Sequence, residues 1–204
     1  MVRVPPGPRA TGRPAAVAVA VAAALFAVAL TALWGLSLGP EGDGGPPLAA
    51  PVTVFTPLDE DDGHLAEGEG VSPFAEGLPL LERMDPELLE AVRAAAAEAR
   101  EDGVDVVVTS GWRSERYQRF LLDAAVAVHG SEEEAARWVA SAESSSHVSG
   151  DAVDIGRTDA ADWMGRFGGA HGLCRTYANE MWHFELAAGP GDACPAPRAD
   201  ASAG

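Results

Sequence analysis

The sequence predicts an α+β domain: a small antiparallel sheet packed with helices, carrying a zinc site in a central cleft, behind an N-terminal transmembrane helix. Three observations lead there. An uncharged run from Ala15 to Leu38 precedes an acidic Gly/Pro-rich stretch. Apolar positions in the following residues alternate between helical and extended spacing. Two short segments near the end, SSSHVSGDAVD and NEMWHFEL, carry His147, Asp154, Glu180 and His183.

The first run is long enough to cross a bilayer, for which about 20 apolar residues are needed. Arg3, Arg9 and Arg13 lie before it, and the first charges after it are Glu41 and Asp43. The positive-inside rule then places residues 1–14 in the cytoplasm and the rest outside. A cleaved signal peptide is the competing reading, but its apolar core is usually shorter, about 7–15 residues. The expectation is a single-pass signal anchor over 15–38.

All 14 basic residues are arginine, against 31 acidic ones, for a formal charge of −17. Such a balance argues against nucleic acid and against an anionic membrane surface as partners. The two cysteines, Cys174 and Cys194, both lie in the exported part. An even count outside the reducing cytosol favours a disulfide.

Residues 39–75 read as a flexible spacer with little apolar surface to bury. A domain over 76–197 follows, and 198–204 reads as a flexible tail. Asp85-Pro86 supplies an N-cap and an N1 proline for a helix to about Arg100. Its stripe is Leu88, Leu89, Val92, Ala95, Ala96 and Ala99, and Gly103 stops it. Val104–Thr109 reads as a central strand. A second helix reaches His129, with Tyr117, Phe120, Leu121, Ala124 and Val128 on one face. Ser131 and Glu134 form a capping box for a third helix ending near Ala140. Ala152–Ile155 and Trp182–Leu186 read as strands flanking a helix from about Asp159 to Gly168.

Two histidines and an aspartate suit zinc, leaving a fourth position for water. The remaining glutamate can act as the base on that water. His147 lies in a Ser/Gly loop before the first of these strands. Asp154 shares a strand face with Ala152 and Gly156, whose small side chains leave room for a metal. Residues 180 and 183 would oppose each other on one continuous strand, so Glu180 must sit on a turn before it. Taken singly, Asp154 also fits a salt bridge or turn, and His183 a satisfied core histidine. His64, His129 and His171 carry no such pattern.

SSSHVSGDAVDIG resembles the SxHxxGxAxD motif of VanY-type zinc D-alanyl-D-alanine carboxypeptidases. NEMWHFEL resembles their ExWH motif and SGWRS their SGYRS motif, in the family's order. Trp112 replaces the usual tyrosine, Asp151 stands at an often apolar position, and the short stretch between Asp154 and Glu180 implies an open groove. The resemblance implies that His147, Asp154 and His183 bind zinc and that Glu180 is the catalytic base. It also implies that Arg113 binds substrate or stabilises the oxyanion, and that Ser145 lies in the substrate pocket. Arg116 and Arg157 compete with Arg113 for a substrate carboxylate. The implied substrate is the peptidoglycan stem peptide, cut by a monomer outside the membrane. An endopeptidase of the same fold and an inactive wall-binding module are the alternatives.

Overall fold

The computed structural model describes residues 56–203. The expected membrane anchor at 15–38 and the first part of the spacer lie outside the described residues. Among those described, no helix is long and apolar enough to cross a membrane.

The elements run α1 (Pro79–Glu82), α2 (Pro86–Glu101), β1 (Val107–Ser110), α3 (Glu115–His129), α4 (Glu132–Ala135), α5 (Ser146–Ser149), β2 (Ala152–Gly156), α6 (Thr158–Phe167), β3 (Leu173–Arg175) and β4 (His183–Leu186). The architecture is α+β, with one four-stranded sheet in the order β1-β2-β4-β3 and every pair antiparallel. β2 is central and buried along its length. Strand alternation then divides the sheet into two chemistries. Val108, Val153, Ile155, Leu173 and Phe184 join Leu88, Val92, Met164 and Trp163 in one apolar core with α2 and α6. Asp154, paired across the ladder with Ser110 and His183, lies on the other face. So does Glu185, paired with Ala152 and Cys174.

Several expectations are corrected. The first strand lies at the edge of the sheet rather than its centre, with Val71 bridged to Val108 beside it. The apolar stripe of α3 is shifted: Phe120 and Val128 are exposed, whereas Gln118 is buried. Hydrophobicity misleads there because the helix covers a polar cavity, not the core. The third helix is one turn, α4, although Ser131 does cap it through the Glu134 N–H. His147 sits on the helical turn α5, not in an open loop. β3 was not foreseen, being only three residues long.

The two polar flanks are also more ordered than their composition implies. From the expected spacer, Asp62 pairs with Arg116 and accepts from Ser114, and Pro73 accepts from Arg93. The expected flexible tail bridges Tyr177 through Arg198 and ends in a 3-10 turn at Ala201–Ala203. Both segments bury polar and backbone groups by pairing them, which composition does not register. Cys174 and Cys194 are disulfide-bonded.

α5 is held by Gly150, which closes the turn at φ 89°. The Gly150 carbonyl accepts from Asp85 N–H at 2.9 Å, tying this turn to the cap of α2. A Cβ on Gly150 would stand 2.6 Å from the Arg83 carbonyl oxygen, and that φ disfavours any L side chain. Gly150→Ala is therefore expected to cost about 1–3 kcal/mol, measured as a drop in urea-unfolding free energy against wild type.

Candidate metal centre

Backbone geometry brings the three candidate ligands together from two sources. The β2–β4 register sets Asp154 directly opposite His183. The α5 turn then delivers His147 over the same face of β2. His147 Nε2 lies 3.2 Å from His183 Nδ1. Asp154 Oδ1 lies 3.2 Å from His183 Nδ1 and 3.3 Å from His147 Nε2. Ligands about 2.0–2.1 Å from a tetrahedral zinc sit about 3.3 Å apart. The triangle thus has the edge lengths a single ion requires, and these three residues could hold one.

The atoms behind the ligands fix their orientation. His147 Nδ1 is 2.7 Å from the Gly111 carbonyl, so it carries the proton and leaves Nε2 free to ligate. His183 Nε2 is 2.9 Å from Glu185 Oε1, which leaves Nδ1 free in the same way. Glu185 also accepts from Ser146 Oγ at 2.8 Å. Asp154 turns its second oxygen to Arg113, 2.7 Å from Nη2. Arg113 in turn donates to Ser110 Oγ at 2.6 Å and to Gln118 Oε1 at 3.1 Å. Those contacts use three of the five guanidinium N–H groups, leaving two for a ligand.

The charges are sorted by environment. Burial opposes ionisation of Asp154, but His147, His183 and Arg113 hold its carboxyl well below the usual range. Burial keeps His147 neutral, with help from Arg113. His183 gains more from hydrogen bonds to Asp154 and Glu185 than burial costs it, and its pKa rises to about 9. Burial pushes Glu180 up to about 7. Its Oε1 is buried without a hydrogen-bond partner, and Oε2 is 3.9 Å from His183 Nδ1. Glu180 sits on the turn before β4, as strand parity requires.

All six expected site residues, Arg113, Ser145, His147, Asp154, Glu180 and His183, line one cavity of about 210 Å³. That is small beside the roughly 300–1,000 Å³ of typical ligand sites. Arg116 and Arg157 do not line it. Arg116 is engaged by Asp62. Cys174 and Cys194 stand apart from the cavity, as a crosslink. Sequence reasoning missed Glu185, Gln118 and Tyr177. Glu185 carried a usable signal, since it follows His183 by two on the same strand face. Gln118 carried none, because a glutamine within a helix ordinarily faces solvent.

Two outcomes are expected. Below pH 9 the metal-free site holds a proton on His183 that a metal must displace. Metal uptake at pH 7 should release about one proton, seen by calorimetry in buffers of differing ionisation heat, and affinity should rise with pH until about 9. Glu185→Gln weakens the carboxylate behind His183 and should lower metal affinity about 10–100-fold in a chelator competition, with the fold retained.

The family model for VanY, D-alanyl-D-alanine carboxypeptidase, matches residues 81–188. No curated protein matches the chain. Similar solved structures include a variant of the vancomycin resistance D,D-pentapeptidase VanY from a VanB-type cassette, in complex with Zn(II). It is 26% identical over 50% of this chain and 71% of that one, with a TM-score of 0.48. VanYB in complex with D-alanine-D-alanine is 26% identical over 50% and 70%, with a TM-score of 0.48. The L,D-carboxypeptidase DacB of Streptococcus pneumoniae is 23% identical over 50% and 65%, with a TM-score of 0.42. Matched over more than half its length, in the stretch that holds all three motifs, the chain belongs to the VanY family of D-alanyl-D-alanine carboxypeptidases.

Proposed function

We propose that this chain is a zinc-dependent D,D-carboxypeptidase that removes the terminal D-Ala from peptidoglycan stem peptides outside the membrane. The observation that carries it is the ligand triangle with the buried Glu180 carboxylate beside it, whose Oε1 has no hydrogen-bond partner. Two imidazoles and one carboxylate suit zinc, and leave a site of net positive charge. Zinc held by His147, Asp154 and His183 would supply Lewis-acid chemistry, lowering the pKa of a water and polarising the scissile carbonyl.

The remaining steps belong to the chain's own side chains. Glu180 has an oxygen free of protein partners and a pKa near neutrality, so it can accept a proton from the attacking water and return it to the leaving amine. The nearby Asp154 stays ionised, so two carboxylates in one cavity are set to different tasks by their surroundings. Arg113 directs its two unused N–H groups to the carbonyl oxygen as negative charge develops there. Ser145 lines the cavity and offers a hydroxyl to the substrate backbone.

The location rests on the sequence. Residues 15–38 anchor the chain once in the membrane, with the arginines before them inside and the domain outside, where the polymer lies. The enzyme acts as a monomer.

Glu180→Gln keeps the shape and removes the basicity. Release of D-Ala from a pentapeptide stem should fall about 10²–10⁴-fold, with metal content unchanged. Near-wild-type turnover would take Glu180 out of the mechanism. Lost activity together with lost metal would make it a ligand instead.

A further inference from the structure

Residues 198–203 lie outside the family match, which ends at 188. Even so, Ala201 is buried and lines the cavity. The segment is bonded to two stretches that line the cavity. On one side it pairs with the strand of chain leading to Glu180: Arg198 N–H donates to Thr176 at 2.9 Å, and Ala178 N–H donates to Arg198 at 2.8 Å. On the other side Asp200 accepts from Arg137 Nε at 3.1 Å. The Arg137 carbonyl accepts from both Ala201 N–H and Asn179 Nδ2. Trp138, Val139 and Ala140, which follow Arg137, line the cavity as well. Upstream, the Cys174–Cys194 bond ties the chain leading into the segment to β3.

We propose that residues 198–203 form the wall of the substrate cleft on the Glu180 side and, through the Ala201 methyl, restrict the leaving residue to a small side chain. The inference rests on the carboxypeptidase reading. Glu180 must reach the leaving amine to protonate it, so the departing residue lies on its side of the cleft. The chain between Asp154 and Glu180 is short and implies an open groove; this strap supplies the missing side from a distant part of the chain. An alanine braced by backbone pairing to the 176–178 stretch and by an ion pair to Arg137 cannot readily give way, so a leaving residue with a branched side chain meets it where a methyl group would not. One methylene in such a pocket discriminates about 10–200-fold.

Two full-length variants test it. Ala201→Leu should raise KM for a D-Ala-terminated pentapeptide about tenfold, with kcat within about threefold and metal content unchanged. The combination C174S, C194S and D200A frees the strap and should cut the preference for terminal D-Ala over terminal D-Leu about tenfold. An active wild type whose KM and selectivity stay unchanged in both variants overturns the wall and leaves the carboxypeptidase reading standing. A wild type that releases no D-Ala sinks that reading. Hydrogen exchange then judges the strap itself: it should speed up at 138–140 and 176–180 in the freed variant, and unchanged protection there overturns the wall.

Discussion

The antiparallel register of β2 against β4 is the constraint on which the site depends. It places Asp154 opposite His183, with Val153 and Phe184 paired on the reverse side in the core. Side chains alternate with period two, so a one-residue slip of either strand would turn its own ligand inward and expose its own core residues, parting Asp154 from His183. Burial of Val153, Ile155 and Phe184 therefore selects the same register that the ligand pair needs. Packing energy, not metal binding, aligns two of the three ligands. The third depends on a local device, a single helical turn closed by Gly150 and hydrogen-bonded to the cap of α2.

The electrostatics follow from where each acid stands on this frame. Asp154 is buried but faces His147, His183 and Arg113, and stays charged. Glu180 is buried on a turn without a donor for Oε1, and its affinity for a proton rises. Glu185 is stabilised as an anion by His183 and Ser146, against the cost of burial. Three carboxylates in one small region thus divide into an anion within the histidine triangle, an acid with a raised pKa and an orienting partner of His183. The division is set by hydrogen-bond donors contributed from the loop between β1 and α3, from α5 and from β4. Arg113 links these parts, since Ser110 and Gln118 hold the guanidinium that holds Asp154.

Legibility in the sequence tracked how local the cause was. The cap of α2 at Asp85 and the strand parity that sets Glu180 on a turn are one-dimensional signals, and they read correctly. Gly156 beside Asp154 is small for another reason than room for a metal, since its missing Cβ makes way for Thr109 and Val107 of β1. The α3 stripe read wrongly because its inner face meets a polar cavity, where Gln118 outcompetes Phe120 and Val128 for burial. The helix expected after Ser131 stopped after one turn although its cap was right, because a cap decides where a helix starts and not how far it runs. The order of the sheet was not legible, since no local pattern says that β1 would be an edge.

The largest departures are the two polar flanks, and they share a physical cause. Residues 57–75 and 189–203 contain few large apolar side chains, so composition assigns them little to bury. What fixes them instead is pairing: Val71 with Val108 through both backbone bonds, Asp62 with Arg116 and Ser114, Arg198 with the 176–178 backbone, and Asp200 with Arg137. Each such contact contributes on the order of 1 kcal/mol or less, and none would hold a segment alone. Several together suffice, with Leu65, Val71 and Ala75 of the first flank also packed on the apolar core and the Cys174–Cys194 crosslink limiting the freedom of the second, which borders the cavity through Ala201. A cavity lined by charged and hydroxyl side chains is bounded more readily by such a segment than by the apolar core. The core lies on the opposite face of the sheet and fixes the ligands from behind.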